Sequence, residues 1–207
     1  ANVTQVPAAG TIVSVGTTNI TLTVTDGNSN TASCNFDVVV SDNTPPTLVG
    51  CPSDIDLFTN DDGGANCEVT VNYTAPTFND NCDGTGTATL VSGPASGTSL
   101  NVSGSPYTVV YSYTDVAGNP VAANCSFTIT VSDNTNPTIT CPGNQTANVD
   151  ASCDFSIPDY TPLATAADNC GTANVTQVPA AGTIVSVGTT NITLTLTDGN
   201  SNTASCN

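Results

Sequence analysis

Residues 18–26, TNITLTVTD, alternate Thr with Ile, Leu and Val at every second position, and the stretch returns as TNITLTLTD at 190–198. A period of two is that of a β-strand with one face in a core and one face in water. YTVVYSYTD (107–115) and CSFTITVSD (125–133) read the same way. Gly, Pro, Asn and Asp punctuate the chain every eight to twelve residues, as between short antiparallel strands. No segment carries a 3.6-residue period, so the expectation is an all-β protein.

Working outward from that strand, the whole of residues 1–35 recurs as residues 173–207 with one change, Val24 to Leu196. Packing tolerates many swaps of similar volume, so near-identity over such a length points to internal duplication. The cysteines give the frame. Cys34 to Cys125 is 91 residues and Cys125 to Cys206 is 81, together the 172-residue offset of the long repeat. Ser41-Asp42-Asn43-Thr44-Pro45-Pro46 recurs as Ser132-Asp133-Asn134-Thr135-Asn136-Pro137, a short proline-bearing junction that stiffens a link. These signals predict the C-terminal part of one domain at 1–42, a complete domain at 43–133, and a third at 134–207 that lacks its final strand. The expectation is a window cut from a longer array.

Composition excludes several functions. The 207 residues contain 17 acidic side chains and no Lys, Arg or His, for a net charge of −17. No salt bridge between side chains can form. Nucleic-acid binding needs Lys and Arg against phosphate, and an anionic membrane surface needs them too. Nucleophile–base catalysis wants His or Lys; paired carboxylates alone, set in turns without an aromatic sugar platform, do not make a glycosidase. The expectation is therefore no enzyme activity, no nucleic acid and no membrane contact in this segment. Nine cysteines, none closer than the 12 positions from Cys141 to Cys153, argue for disulfides in an oxidising, extracellular compartment and against zinc. Each later domain holds four, Cys51, Cys67, Cys82 and Cys125, then Cys141, Cys153, Cys170 and Cys206. Four cysteines allow three connectivities. Eight N-x-S/T sequons (Asn2, Asn19, Asn72, Asn101, Asn124, Asn144, Asn174, Asn191) matter only if the source glycosylates secreted Asn.

The order of motifs resembles a known family. Pro-Pro or Asn-Pro leads into Cys51-Pro52 and Cys141-Pro142, and Asp80-Asn81-Cys82 and Asp168-Asn169-Cys170 follow. Thr114–Asn119 then reads Thr-Asp-x-x-Gly-Asn, before a further cysteine and an apolar strand ending in Val-Ser-Asp. This pattern resembles the hyalin repeat, or HYR domain, an immunoglobulin-like module of extracellular adhesive proteins. Its Thr- and Val-rich, four-cysteine form is similar to tandem arrays in giant surface and gliding adhesins of Bacteroidetes. The resemblance implies tandem immunoglobulin-like β-sandwiches in an extended rod. In that topology the B–C and F–G connections share an end, which implies Cys82–Cys125 and Cys170–Cys206, with Cys51–Cys67 and Cys141–Cys153 as the remaining pairs. Thr197-Asp198-Gly199-Asn200 departs from the family spacing.

The acidic turns are the candidate sites. Asp26, Asn28 and Asn30, and again Asp198, Asn200 and Asn202, match the first three ligand positions of a calcium loop but lack its Gly and final Glu, so a polar hairpin turn is the simpler reading. Asp61-Asp62-Gly63-Gly64 reads as a solvated turn. The junctions carry more. Asp42 and Asn43 are expected near Asp80, Asn81, Asp115 and Asn119, and Asp133 and Asn134 near Asp168, Asn169 and Asp198. Converging carboxylates with no basic residue available would repel, and Ca2+ would neutralise them. The functional expectation is a disulfide-stapled spacer or stalk in a giant extracellular adhesin or filament. Its partners would be adjacent domains of the same chain, other fibres, and a glycan or protein ligand at a distal tip. The alternative is a carbohydrate- or protein-binding module of a secreted enzyme.

Overall fold

The computed structural model describes residues 2–64, 66–171 and 173–207. It is all-β; its only helices among the described residues are single 3-10 turns at Val102–Gly104 and Thr161–Leu163. None is long and apolar enough to cross a membrane. The chain divides into two compact units. One gathers the residues up to Gly50 with Pro76–Thr89 and Tyr111–Cys125, and the other gathers Cys51–Ala75, Leu90–Val110 and Ser126–Asn207.

In the first unit, Asn2–Val6, Gly16–Thr25 and Thr31–Val40 form an antiparallel meander. The central strand pairs over ten residues, from Gly16 opposite Val40 to Thr25 opposite Thr31. The Thr/Ile/Leu/Val alternation turns Ile20 inward. A second sheet orders Thr47–Val49, Thr77–Asp80 and Gly84–Thr87. Phe78 of its middle strand is buried and stacks on Tyr113, with ring centroids 3.6 Å apart and planes 5° apart. The Tyr113 hydroxyl donates to Asp83 at 3.1 Å, and Val116 N–H donates to the same carboxylate at 2.9 Å. The Asp80–Asp83 turn is thereby fixed against the turn that begins at Thr114.

In the second unit, Ile55–Phe58 runs parallel to the end of Cys125–Ser132, with Ile129 opposite Ile55 and Val131 opposite Leu57. Antiparallel strands alone were expected. A parallel pair requires a long crossover, and here more than sixty residues of the repeat lie between the partners. Val69, Val71, Leu100, Val109, Phe127, Ile129 and Val131 are buried. Phe127 meets Tyr73 edge-on at 5.1 Å. Further along, Asn174–Val178, Thr193–Thr197 and Thr203–Cys206 make an antiparallel sheet. Thr138–Thr140, paired with Thr165–Ala167, packs against its last two strands. Leu194 and Leu196 are fully buried there. The strand expected over 190–198 begins only at Thr193, since its ladder partner covers Thr203–Cys206.

The cysteines pair differently from every connectivity expected. Cys67 bonds Cys170 (Cα–Cα 4.7 Å) and Cys141 bonds Cys206 (Cα–Cα 5.8 Å). Cys51 and Cys125 are both disulfide-bonded, and Cys34, Cys82 and Cys153 are free and exposed. Cys82–Cys125 and Cys141–Cys153 therefore do not form, because Cys82 and Cys153 are thiols. Cys51–Cys67 and Cys170–Cys206 do not form, because Cys67 and Cys170 take each other. Cys206 lies opposite Leu194 in its sheet. The neighbouring strand Thr138–Thr140 delivers Cys141 to it, and the Asp168-Asn169-Cys170 turn faces the earlier part of the chain.

Candidate metal centres

Two trios of aspartates converge. Asp42, Asp80 and Asp115 lie in the first unit and Asp133, Asp168 and Asp198 in the second; within each trio one carboxylate oxygen per residue lies within 4.8 Å of the others. All but the part-buried Asp168 are buried. Each trio combines a residue just past the end of an apolar strand, the first residue of an Asp-Asn-Cys turn, and the Asp of a Thr-Asp turn.

The local hydrogen bonds recur from one trio to the other. Asp42 Oδ1 accepts from Thr44 N–H at 3.0 Å and from Asn81 Nδ2 at 3.4 Å. Asp133 Oδ1 accepts from Thr135 N–H at 3.0 Å and from Asn169 Nδ2 at 3.4 Å. Asp80 accepts from Cys82 N–H, and Asp168 from Cys170 N–H, both at 2.8 Å. These are Asx turns, which explains why Asp leads each one. Asn119 Nδ2 bridges the Asp115 carboxylate and the Asp42 carbonyl, at 2.8 and 3.1 Å. In the second trio that bridge is made by Asn202, to Asp198 and the Asp133 carbonyl, at 2.9 and 3.1 Å.

Asn202 is thus the counterpart of Asn119, and Asn200 instead donates to Asp133 Oδ2 at 3.3 Å. The shared spacing is Asp to Asn four residues on, and Ser201, at φ 73°, occupies the left-handed position that Gly118 holds at φ 97°. Asp26 and Asn30 repeat this spacing, and Asn28 N–H and Asn30 N–H satisfy the Asp26 carboxylate locally. Asn202, a calcium-loop position in the sequence, acts here as a donor bridging two trio members; sequence reading missed Thr59, whose hydroxyl donates to Asp133 at 3.1 Å from a fully buried position. Nothing local marks that threonine. Asn43 and Asn134 are exposed and stand outside both trios. Asp61 and Asp62 cap their own turn, accepting from Phe58 N–H and Gly64 N–H.

Each site still has oxygens left over. Asp42 Oδ2 and Asp80 Oδ2 in one trio, and Asp168 Oδ1 with Asn169 Oδ1 in the other, are buried without a hydrogen-bond partner. A buried carboxylate oxygen without a donor costs more than a neutral group would. Thr44 N–H is the largest influence holding the Asp42 carboxyl below its usual range. At Asp133 burial pushes upward, but donors from Thr135, Asn200, Thr59 and Asn169 together outweigh it and hold the carboxyl low. Those donors favour the charged form and do not cancel the charge. Hard oxygen donors in this density suit Ca2+, and the chain has no cationic side chain to substitute for it.

The HYR domain family model matches residues 1–40, 41–131 and 132–207. The chain belongs to the HYR domain family. It is 34% identical over 206 residues to "Hyalin" of Strongylocentrotus purpuratus, which covers 98% of this chain and 16% of that protein. It is 33% identical over 204 residues to "Hyalin" of Lytechinus variegatus, covering 94% of this chain and 36% of that protein. The chain therefore spans a minor part of the length of these relatives. Among solved structures, protocadherin gamma B7 extracellular cadherin domains 1–4 aligns at TM-score 0.36 and 14% identity, over 92% of this chain and 56% of that one.

Set on the HYR repeats, Asp42 opens the repeat that supplies Asp80 and Asp115, and Asp133 opens the one that supplies Asp168 and Asp198. Asp42 lies two residues past strand Thr31–Val40 and Asp133 one past Cys125–Ser132, so one member of each trio stands at a repeat boundary. Cys67–Cys170 joins one HYR repeat to the next, while Cys141–Cys206 lies within one. Such bonds belong to an oxidising, extracellular setting.

Proposed function

We propose that this chain is a spacer segment of a long extracellular adhesive protein, whose HYR repeats are held in fixed relation by Ca2+ at each junction. The observation that carries the reading is the recurrence of the same three-aspartate arrangement at two junctions, each with buried oxygens that no donor satisfies. Asp42, Asp80 and Asp115 would hold one ion, and Asp133, Asp168 and Asp198 the other. The ion supplies charge neutralisation and a rigid oxygen cage. The protein's contribution is to aim the carboxylates through Asx turns and to bridge them with Asn119 and Asn202. In this reading the segment has no active site, its immediate partners are flanking repeats, and the adhesive contact lies elsewhere along the protein. The gliding-adhesin setting rests on the Thr- and Val-rich, four-cysteine resemblance.

Small-angle scattering of the 207-residue chain, with Ca2+ and then with EDTA, tests the proposal alongside titration calorimetry. A chelator-dependent change in maximum dimension and a saturable Ca2+ heat are expected. The Asp42 junction should loosen most, because Cys67–Cys170 ties the other one covalently. An unchanged scattering profile together with no binding heat would remove calcium and leave the proline-bearing links and disulfides as the source of stiffness.

A further inference from the structure

Cys67–Cys170 is a bond between repeats, and the chain holds one further copy of each of its two halves. Cys170 ends an Asp-Asn-Cys turn in which Asn169 Nδ2 reaches its own neighbour's Sγ at 3.4 Å and Asp133 at 3.4 Å. Cys82 ends the same turn one repeat earlier, with Asn81 Nδ2 at 3.1 Å from its Sγ and 3.4 Å from Asp42.

The other half matches as well. Cys67 directly precedes strand Glu68–Thr70, which pairs with Ser99–Asn101; Cys153 directly precedes Asp154–Ser156, which pairs with Ile184–Ser186. The hairpins close identically, Val71 N–H to Thr98 O and Gly97 N–H to Val71 O in one, Ile157 N–H to Thr183 O and Gly182 N–H to Ile157 O in the other. Both leftover sulfurs, Cys82 and Cys153, are exposed thiols.

We propose that Cys82 and Cys153 are open halves of the same inter-repeat disulfide. Cys82 takes the cysteine equivalent to Cys67 in the HYR repeat before residues 41–131, and Cys153 takes the Asp-Asn-Cys cysteine of the repeat after residues 132–207. The array then carries a ladder of disulfides from repeat to repeat, each a second covalent tether beside the peptide link. A single tether permits twisting about the link; two tethers at separate points on the junction remove that freedom.

The chemistry balances with a disulfide-bearing oxidoreductase of the export route as oxidant. One thiolate attacks its disulfide to give a mixed disulfide. The second cysteine displaces the oxidoreductase, which leaves as a dithiol carrying the two electrons and two protons lost by the pair. The ladder does not depend on calcium, so its test is run in EDTA.

The full-length protein from its source is alkylated with iodoacetamide under denaturing, non-reducing conditions, cut with an Asp-specific protease and sequenced by mass spectrometry. Cys82 and Cys153 are expected to escape alkylation entirely. Each should be linked to a cysteine outside residues 1–207, in the position equivalent to Cys67 or Cys170 respectively, with Cys67–Cys170 itself present. Alkylation of either thiol, a bond from either to any cysteine within 1–207 or to a differently placed one beyond it, or absence of Cys67–Cys170, would overturn the proposal.

Discussion

Replacing Asp168 with Asn should reverse its effect on stability when calcium is removed. Asp168 Oδ2 accepts from Cys170 N–H at 2.8 Å, while Oδ1 is buried without a partner. An Asn side chain keeps the first contact through its amide oxygen and turns a donor toward Asp133 and Asp198. Carboxylate oxygens of the trio lie within 4.8 Å of one another. At that distance each like-charge pair costs about 1 kcal/mol in water and about 3 kcal/mol at an effective dielectric of ~20. D168N removes two of the three pairs, a relief of about 2 kcal/mol at the wet end, the appropriate one for a part-buried residue. For a domain of this size that is roughly a 10 °C rise in Tm in EDTA. In saturating Ca2+ the same change deletes a charged ligand and should weaken affinity about a hundredfold, about 2.7 kcal/mol, which exceeds the relief, so the variant's Tm falls below that of the parent. Scanning calorimetry of both proteins in EDTA and in millimolar Ca2+ reads the crossing directly. An equal loss of Tm under both conditions would show that Asp168 serves only as the acceptor for Cys170 N–H, and the calcium argument for that junction would fail.

Two more outcomes are expected. Asp54 is held below the usual 3.8 by Thr128 N–H first and the Thr128 hydroxyl second. The folded state therefore binds fewer protons than the unfolded one, and this support is complete well above pH 3.8 and lost as pH falls through the lowered value. In EDTA, the Tm deficit of D54N should shrink steadily from pH 6 toward about pH 3; a constant deficit would refute the linkage. Leu196→Ala should cost about 2–5 kcal/mol in denaturant melts, and Val24→Ala under about 1 kcal/mol, although the two sit at matched positions of duplicated sequence. Leu196 is fully buried and Val24 is 37% exposed; equal losses would mean that burial does not set the cost.

The β-strands were legible because a period of two is written in each strand alone. TNITLTVTD and CSFTITVSD place Ile20, Phe127, Ile129 and Val131 inside without reference to anything distant. The convergence of Asp42 with Asp80 and Asp115 was legible for a related reason, since the motif order recurs and each Asp opens or ends a turn. Disulfide pairing was not. Cys67 and Cys170 are 103 residues apart and belong to different repeats, so a frame that pairs cysteines inside one domain assigns both to wrong partners. Thr59 was invisible for the same cause. Its hydroxyl matters only through Asp133, 74 residues away, and a Thr in a Thr-rich chain carries no signal of its own. The equivalence of Asn202 to Asn119 was obscured by motif spelling: Gly118 marks the one turn, yet Ser201 adopts the same left-handed backbone in the other and leaves the four-residue spacing intact.

The disulfide and Thr59 failures share one physical origin, which is contact between neighbouring repeats. A repeat of 80–90 residues buries a small core and gains little from enlarging it. Here the strongest polar and covalent devices sit where two repeats meet. Asp133 is supplied at the start of one repeat, Thr59 and Cys67 by the body of the repeat before it, and Asp168, Cys170 and Asp198 by turns of its own repeat. A lone repeat keeps its three aspartates but loses what the neighbour adds to them, the Thr59 hydroxyl on Asp133 and the Cys67–Cys170 bond. Stability added at a junction also acts on geometry, because it is lost only when adjacent repeats separate or rotate. A chain with 17 negative charges and no positive ones gains nothing from salt bridges for this purpose, and the bonds seen to cross from one repeat to the next are the Thr59–Asp133 hydrogen bond and the Cys67–Cys170 disulfide.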